Sequence, residues 1–276
     1  MMRFDVVTLF PEMFAAVTDH GITRRARELG LWQLAVWNPR EFTSDRHRTV
    51  DDRPFGGGPG MVLMAEPLAA AVDAARDAQL AAGLPAGRIV ALAAAGRPLT
   101  DERVRAWAEQ GGSIVLVCGR YEGIDQRFLD ACADEQASIG DFVLSGGEIA
   151  AMALIDAVVR RLPGALKIES TADESYTTGL LDAPHFTRPE HWRGRGVPAP
   201  LLSGHHAQIG RWRREQALAR TALERPDLIA AARAGGRLDA LDERFLRALA
   251  QGAGGVDPPA VLNPSSAAAK TAEHSV

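Results

Sequence analysis

Four short apolar runs, spaced so that helices can pack between them, constrain this chain more than any other feature. Phe4-Asp5-Val6-Val7-Thr8-Leu9, Leu34-Ala35-Val36-Trp37, Ile89-Val90-Ala91-Leu92 and Ser113-Ile114-Val115-Leu116-Val117-Cys118 read as buried strands. Pro11 stands where a helix can start. An alanine-rich helix is predicted over 66–82 and another over 100–110. Strands alternating with helices of this length predict a parallel sheet covered by helices, an α/β fold. From Asn38-Pro39 to Gly60 the chain is polar and glycine-rich, and a loop that long is usually functional or disordered.

Gly146-Gly147 opens a further helix whose Ala151, Leu154, Ile155, Val158 and Leu162 share one face, and Pro163-Gly164 ends it. Residues 165–181 are polar and aperiodic and read as a linker. The chain then turns helical, with Ser203 predicted as the N-cap of a helix through Leu223, followed by helices over 227–234 and 239–250. The segment 251–276 is rich in Gly, Pro, Ser and Ala and is expected to be a disordered tail. The 276 residues thus divide into a domain over 1–164, a linker over 165–181, a helical domain over 182–250 and the tail.

No stretch approaches the roughly 18 consecutive apolar residues of a membrane span. The start, Met1-Met2-Arg3-Phe4-Asp5, lacks a signal-peptide pattern, so a cytoplasmic protein is expected. Cys118 and Cys132 are too few for a disulfide framework and lack zinc-site spacing, so both are expected to be reduced thiols, with no metal ligands. The net charge of −4 counts against a polyanionic partner only until its distribution is read. From Arg188 to Arg225 eight arginines face three acidic residues, with His191, His205 and His206 among them, a surplus that suits a phosphate backbone.

Three glycine-bearing segments follow strands, where open parallel sheets bind ligands: Ala93-Ala94-Ala95-Gly96, Gly119-Arg120-Tyr121-Glu122-Gly123 and Ile139 to Gly147. Glycine lets backbone approach a ligand, and exposed N–H and C=O groups can read a planar base. None of the three is a dinucleotide fingerprint or a phosphate loop.

Five blocks carry a more specific likeness. They are Leu9-Phe10-Pro11-Glu12-Met13-Phe14, Ser44 to Met61 (SDRHRTVDDRPFGGGPGM), Cys118-Gly119-Arg120-Tyr121-Glu122-Gly123-Ile124-Asp125, Ser138 to Glu148 (SIGDFVLSGGE) and Leu201-Leu202-Ser203-Gly204-His205-His206-Ala207. In order, over about residues 1 to 228, they resemble the bacterial tRNA (guanine-N1)-methyltransferase family. The resemblance implies a SPOUT-type parallel sheet with a deep trefoil knot, a linker and a small all-α C-terminal domain. It also implies an obligate homodimer with its active site at the interface. Members transfer methyl from S-adenosylmethionine to N1 of guanosine 37 of tRNA that bears guanosines at 36 and 37, with magnesium assisting.

That chemistry needs a base for the N1 proton and a cation for charge developing on O6. By the resemblance these roles fall on Glu174, in Asp173-Glu174-Ser175-Tyr176, and on Arg160. The family pattern has an Asp at the base position and a linker one residue longer, so Asp173 is the alternative base. Cofactor contacts are implied for Leu92, Gly119, Tyr121, Glu122, Gly123, Ile139, Gly140, Asp141, Phe142, Val143, Leu144, Gly146 and Gly147. Substrate contacts are implied for Arg48, Asp52, Ser203, His205 and Arg214. Ala93-Ala94-Ala95 replaces the family's Ser-Pro-Gln, which main-chain recognition of adenine would tolerate. Two rivals remain: a SPOUT ribose 2′-O-methyltransferase, which needs no linker carboxylate, and an inactive tRNA-binding protein.

Overall fold

The computed structural model describes residues 1–167 and 174–252, and the chain divides into two compact units, Met1–Lys167 and Ile168–Val276. Residues 168–173 of the expected linker, Asp173 among them, and 253–276 of the expected tail lie outside the described residues.

In the first unit β1 (Met2–Val7), β2 (Trp32–Trp37), β5 (Arg88–Pro98), β6 (Gly112–Cys118) and β7 (Glu135–Ser138) form one sheet in the order β2-β1-β6-β5-β7. Every neighbouring pair is parallel. The short strands β3 (Asp51–Asp52) and β4 (Val62–Leu63) pair separately and antiparallel. The helices are α1 (Ala15–Thr18), α2 (Gly21–Glu28), α3 (Ala65–Ala81), α4 (Asp101–Gln110), α5 (Gln126–Cys132) and α6 (Glu148–Val159).

Strand residues alternate between two cores. Phe4, Val6, Val90, Leu92, Leu116 and Cys118 pack toward α4 and α6, with Trp107, Leu154, Ile155 and Val158. Val7, Ile89, Ala91, Val115 and Val117 pack toward α3 and α5, with Leu68, Ala71, Val72 and Phe128. Burial on both faces is why these strands read as continuous apolar runs. Each buried Leu, Ile or Val side chain contributes about 1.5–3 kcal/mol.

β5 runs well past the predicted Leu92, and its pairing with β7 shifts register between Leu92 and Arg97. The alanine run has no strand signature of its own, so here tertiary pairing decides. The neighbouring β7, Glu-Gln-Ala-Ser, also carries no apolar pattern and forms by pairing with β5 at the sheet edge. Helix α6 stops at Val159, short of the expected Pro163; Leu162 N–H instead bonds Val159 C=O at 3.0 Å in a turn that keeps Leu162 buried.

The second unit contains a hairpin, β8 (His191–Trp192) with β9 (Arg195–Gly196), and helices α7 (Ala199–Leu202), α8 (His206–Glu224), α9 (Pro226–Ala234) and α10 (Ala240–Ala250). Arg193 and Gly194 turn the hairpin with φ of 49° and 75°, the left-handed pair a two-residue hairpin loop needs. Leu180, Leu218, Ile229, Phe245 and Leu246 form the core. Ser203 is not the N-cap of α8. His205 holds that position, while the Ser203 hydroxyl accepts from the His205 N–H at 3.1 Å and donates to Pro200 C=O at 2.8 Å, ending α7.

Candidate active site

A cavity of about 400 Å³ opens at the C-terminal ends of β6 and β7 and beside the Leu92–Arg97 irregularity of β5. That is the end at which parallel sheets place ligands, and the volume lies in the range of small-molecule sites. Three loops make its walls: Ala93–Ala95 within the β5 irregularity, Gly119–Gly123 after β6, and Ile139–Gly147 between β7 and α6. Of the expected cofactor residues, Leu92, Gly119, Tyr121, Glu122, Gly123, Ile139, Gly140, Phe142, Val143, Leu144, Gly146 and Gly147 line it. Asp141 is exposed and does not. Gln126 and Gln136 also line the cavity, and sequence reasoning passed over both, because nothing in their local pattern marks them.

The two longer loops are pressed together. Gly147 N–H donates to Gly119 C=O at 2.8 Å, and Arg120 forms a β-bridge with Gly146. A Cβ on Gly147 would stand 2.8 Å from Cys118 Cα and 3.0 Å from Gly119 N, which only glycine avoids. Burial, followed by the charge of Glu148, pushes the Cys118 thiol well above its usual pKa, so it stays a neutral packing group.

The loop bearing Arg48 and Asp52 ends beside this cavity. Glu122 N–H donates to Met61 C=O at 2.9 Å, Leu63 N–H to Gly123 C=O at 2.9 Å, and a side chain at Gly60 would strike the Glu122 carboxylate. Asp52 pairs opposite Val62 and accepts from Arg53 N–H at 2.7 Å. Arg48, at φ 52°, ends a turn closed by Asp45, which accepts from the Thr49 hydroxyl and the His47 and Thr49 N–H groups. Those bonds, the Thr49 hydroxyl first, hold the Asp45 carboxyl below its usual pKa.

Arg160 is the C-cap residue of α6, its N–H on Asp156 C=O at 3.0 Å. Glu174 borders a separate cavity of about 600 Å³ in the second unit, with Asp182, His185, Arg213 and Arg214. Neither Arg160 nor Glu174 is without a partner. Arg214 donates to Asp242 at 2.7 Å, as does Arg211 at 3.3 Å. His205 is exposed ahead of α8.

Over residues 2–231 the chain matches the family model described as tRNA (Guanine-1)-methyltransferase TrmD. The chain belongs to that family. A tRNA (guanine-N(1)-)-methyltransferase of Herminiimonas arsenicoxydans is 59% identical over 249 residues, which cover 90% of this chain and 100% of the relative. That of Janthinobacterium sp. (strain Marseille) matches to the same extent. That of Burkholderia mallei (strain SAVP1) is 58% identical over 251 residues, 91% of this chain and 95% of the relative.

Proposed function

We propose that this protein transfers the methyl group of S-adenosylmethionine to N1 of guanosine 37 in the anticodon loop of tRNA. The observation that carries the reading is the glycine-walled cavity at the strand ends in a chain of this family. Its residues fit the donor. Main-chain groups of the three loops can read adenine, Leu92, Ala137 and Leu144 offer apolar walls, and the Glu122 carboxylate suits a cationic methionine moiety. When bound, S-adenosylmethionine supplies an electrophilic methyl group.

The chain's own groups do the rest. Glu174 accepts the proton that leaves guanine N1 as the N1 lone pair takes the methyl, and Arg160 stabilises the negative charge developing on O6. Asp173 is the alternative base. The loop from Asp45 to Gly60 closes over the extruded base and excludes water. Any assisting Mg²⁺ would be held largely by water and substrate oxygens, since among the described residues no three His, Cys, Asp or Glu side chains gather as a metal site.

The reading extends to architecture: a SPOUT-type trefoil knot in the donor-binding domain (1–164), a linker carrying the carboxylate (165–181) and a helical tRNA-binding domain (182–250). It also includes an active site at a homodimer interface, working in the cytoplasm. Val143, 88% exposed, with Phe142, Tyr121 and Ile149, leaves large apolar side chains in water beside the cleft, as a surface covered by a second copy would. No described helix is long and apolar enough to cross a membrane.

The test is to incubate labelled donor with unmodified tRNA bearing guanosines at 36 and 37, then digest and identify the labelled nucleoside. 1-Methylguanosine is expected. A 2′-O-methyl nucleoside, or tRNA binding without transfer, overturns the reading in favour of a ribose methyltransferase or an inactive binding protein. Glu174→Gln should abolish turnover and spare donor binding; if Asp173→Asn does so instead, the base is Asp173.

A further inference from the structure

Glu148, the first residue of α6, is 0% exposed, and burying a carboxylate is costly unless it is paired and hydrogen-bonded. Its Oε2 lies 2.9 Å from Arg120 Nε, and its Oε1 accepts from the buried Thr8 hydroxyl at 2.9 Å. The start of a helix adds favourable partial positive charge. Arg120 reaches three further groups. Its Nη1 donates to Ser145 C=O at 3.2 Å, its guanidinium lies 4.3 Å from the centre of the Phe10 ring, and its Nη2 approaches Met13 Sδ at 3.7 Å.

These contacts span the cleft walls. Arg120 belongs to the Gly119–Gly123 wall, while Ser145 and Gly146 belong to the facing loop. A side chain at Gly146 would occupy the space that the Arg120 guanidinium fills. Simple stability does not call for this device, because a buried ion pair is often no better than apolar packing. What the pair does supply is a fixed distance between two main-chain walls.

We propose that Arg120 and Glu148, with Thr8, are positioning residues that set the width of the donor cleft, an inference resting on the S-adenosylmethionine reading above. Loss of the clamp lets the walls separate, so donor affinity falls while guanine chemistry at Glu174 and Arg160 is untouched.

The experiment measures S-adenosylhomocysteine binding by calorimetry, donor KM and kcat, and thermal unfolding of the full-length protein. It compares wild type with Arg120→Lys, Thr8→Val and Thr8→Ser. Lysine keeps the charge on Glu148 but cannot also reach Ser145; valine keeps the shape of threonine without its hydroxyl; serine restores that hydroxyl. Arg120→Lys should weaken binding on the order of 10- to 100-fold and Thr8→Val about tenfold, the scale set by small misplacements of a site. Donor KM should rise in step, kcat at saturating donor should stay near wild type, and Thr8→Ser should restore binding. Binding within twofold of wild type in both Arg120→Lys and Thr8→Val overturns the proposal, as does a fall in kcat with unchanged donor KM. If Arg120→Lys does not fold, the Thr8 pair decides. Wild-type protein that fails to bind S-adenosylhomocysteine overturns the donor reading itself, and the clamp with it.

Discussion

In the first unit the candidate site is made of main chain, and arginine serves it from inside. Loops rich in glycine form the walls, and Arg120 passes between them to a buried acid. The second unit is built the other way, with its arginines spread along helices and tied to carboxylates. Arg211 holds Glu215 and Asp242, Arg214 holds Asp242, Arg220 holds Asp182 and Arg225 holds Asp227. A surplus counted along 188–225 therefore overstates the charge left for an RNA, while a single arginine outside that stretch reaches across both walls of the cavity above the sheet. What an arginine does is decided by its partner, and sequence separation hides the partner: Asp242 lies 28 residues from Arg214.

Breaking Asp242 should have the largest effect. Its carboxylate is 2% exposed, takes both guanidinium groups and completes the capping box of α10 with Asp239. Asp242→Ala should destabilise the protein by about 3 kcal/mol, the cost of removing the buried carboxylate that two guanidinium groups share, plus the Asp242 half of the capping box. Chemical denaturation and hydrogen exchange at α8 and α10 measure it, and a loss below about 1 kcal/mol would mean the arginines find water just as well.

Alanine at two glycines sharpens the contrast. At Gly147 the new Cβ meets backbone atoms of the facing loop, so Gly147→Ala should cost about 1–3 kcal/mol and weaken S-adenosylhomocysteine binding. At Gly210, inside α8, a Cβ meets nothing within 4 Å, and Gly210→Ala should stabilise that helix by about 0.4–1 kcal/mol. Equal effects at the two positions would dissolve the distinction between a close-packed cleft and an open helix face.

Legibility in the sequence follows the same line. The strands buried on both faces announce themselves, because Val, Ile and Leu at 89–92 and 113–118 carry their own signal. The loops of the cleft were legible through glycine and through the long motifs they share with a family. Missing from that reading was what only tertiary contact creates: β7, the extension of β5 through three alanines, the start of α8 at His206, and the Thr8–Glu148–Arg120 contact across 140 residues. Glu148 entered only as the last residue of a shared motif, and nothing in its local sequence tells a solvated acid from a buried one.

Acidification separates the second unit's carboxylates further. Burial pushes Asp182 and Asp242 up, but hydrogen bonds outweigh it, from Ser175 and His185 in one case and from Arg214 in the other, with nearby positive charge adding to both; each ends below its ordinary pKa. A carboxyl depressed in the folded state contributes stability that is complete above its unfolded pKa, about 3.9. That stability is lost as pH falls through the folded value. Melting of the second unit should therefore drop below about pH 4 in wild type and drop less in Asp242→Ala, as read by thermal scans at fixed ionic strength.

The smallest effect is the most direct test of which arginines face RNA. Arg193 sits at the tip of the β8–β9 hairpin in a left-handed conformation, its guanidinium 4.8 Å from the centre of the exposed Trp192 ring, an arrangement that presents cation and ring together. Arg211 is nearer the centre of the predicted basic stretch but is neutralised by two acids. If charge that is already paired cannot release counterions from RNA, Arg193→Ala should weaken tRNA binding a few-fold and lower the slope of log affinity against log salt by about one. Arg211→Ala should leave that slope unchanged while lowering stability. A slope change at Arg211 and none at Arg193 would show that the pairing with Asp242 opens when tRNA arrives, and that the second unit spends its ion pairs on binding.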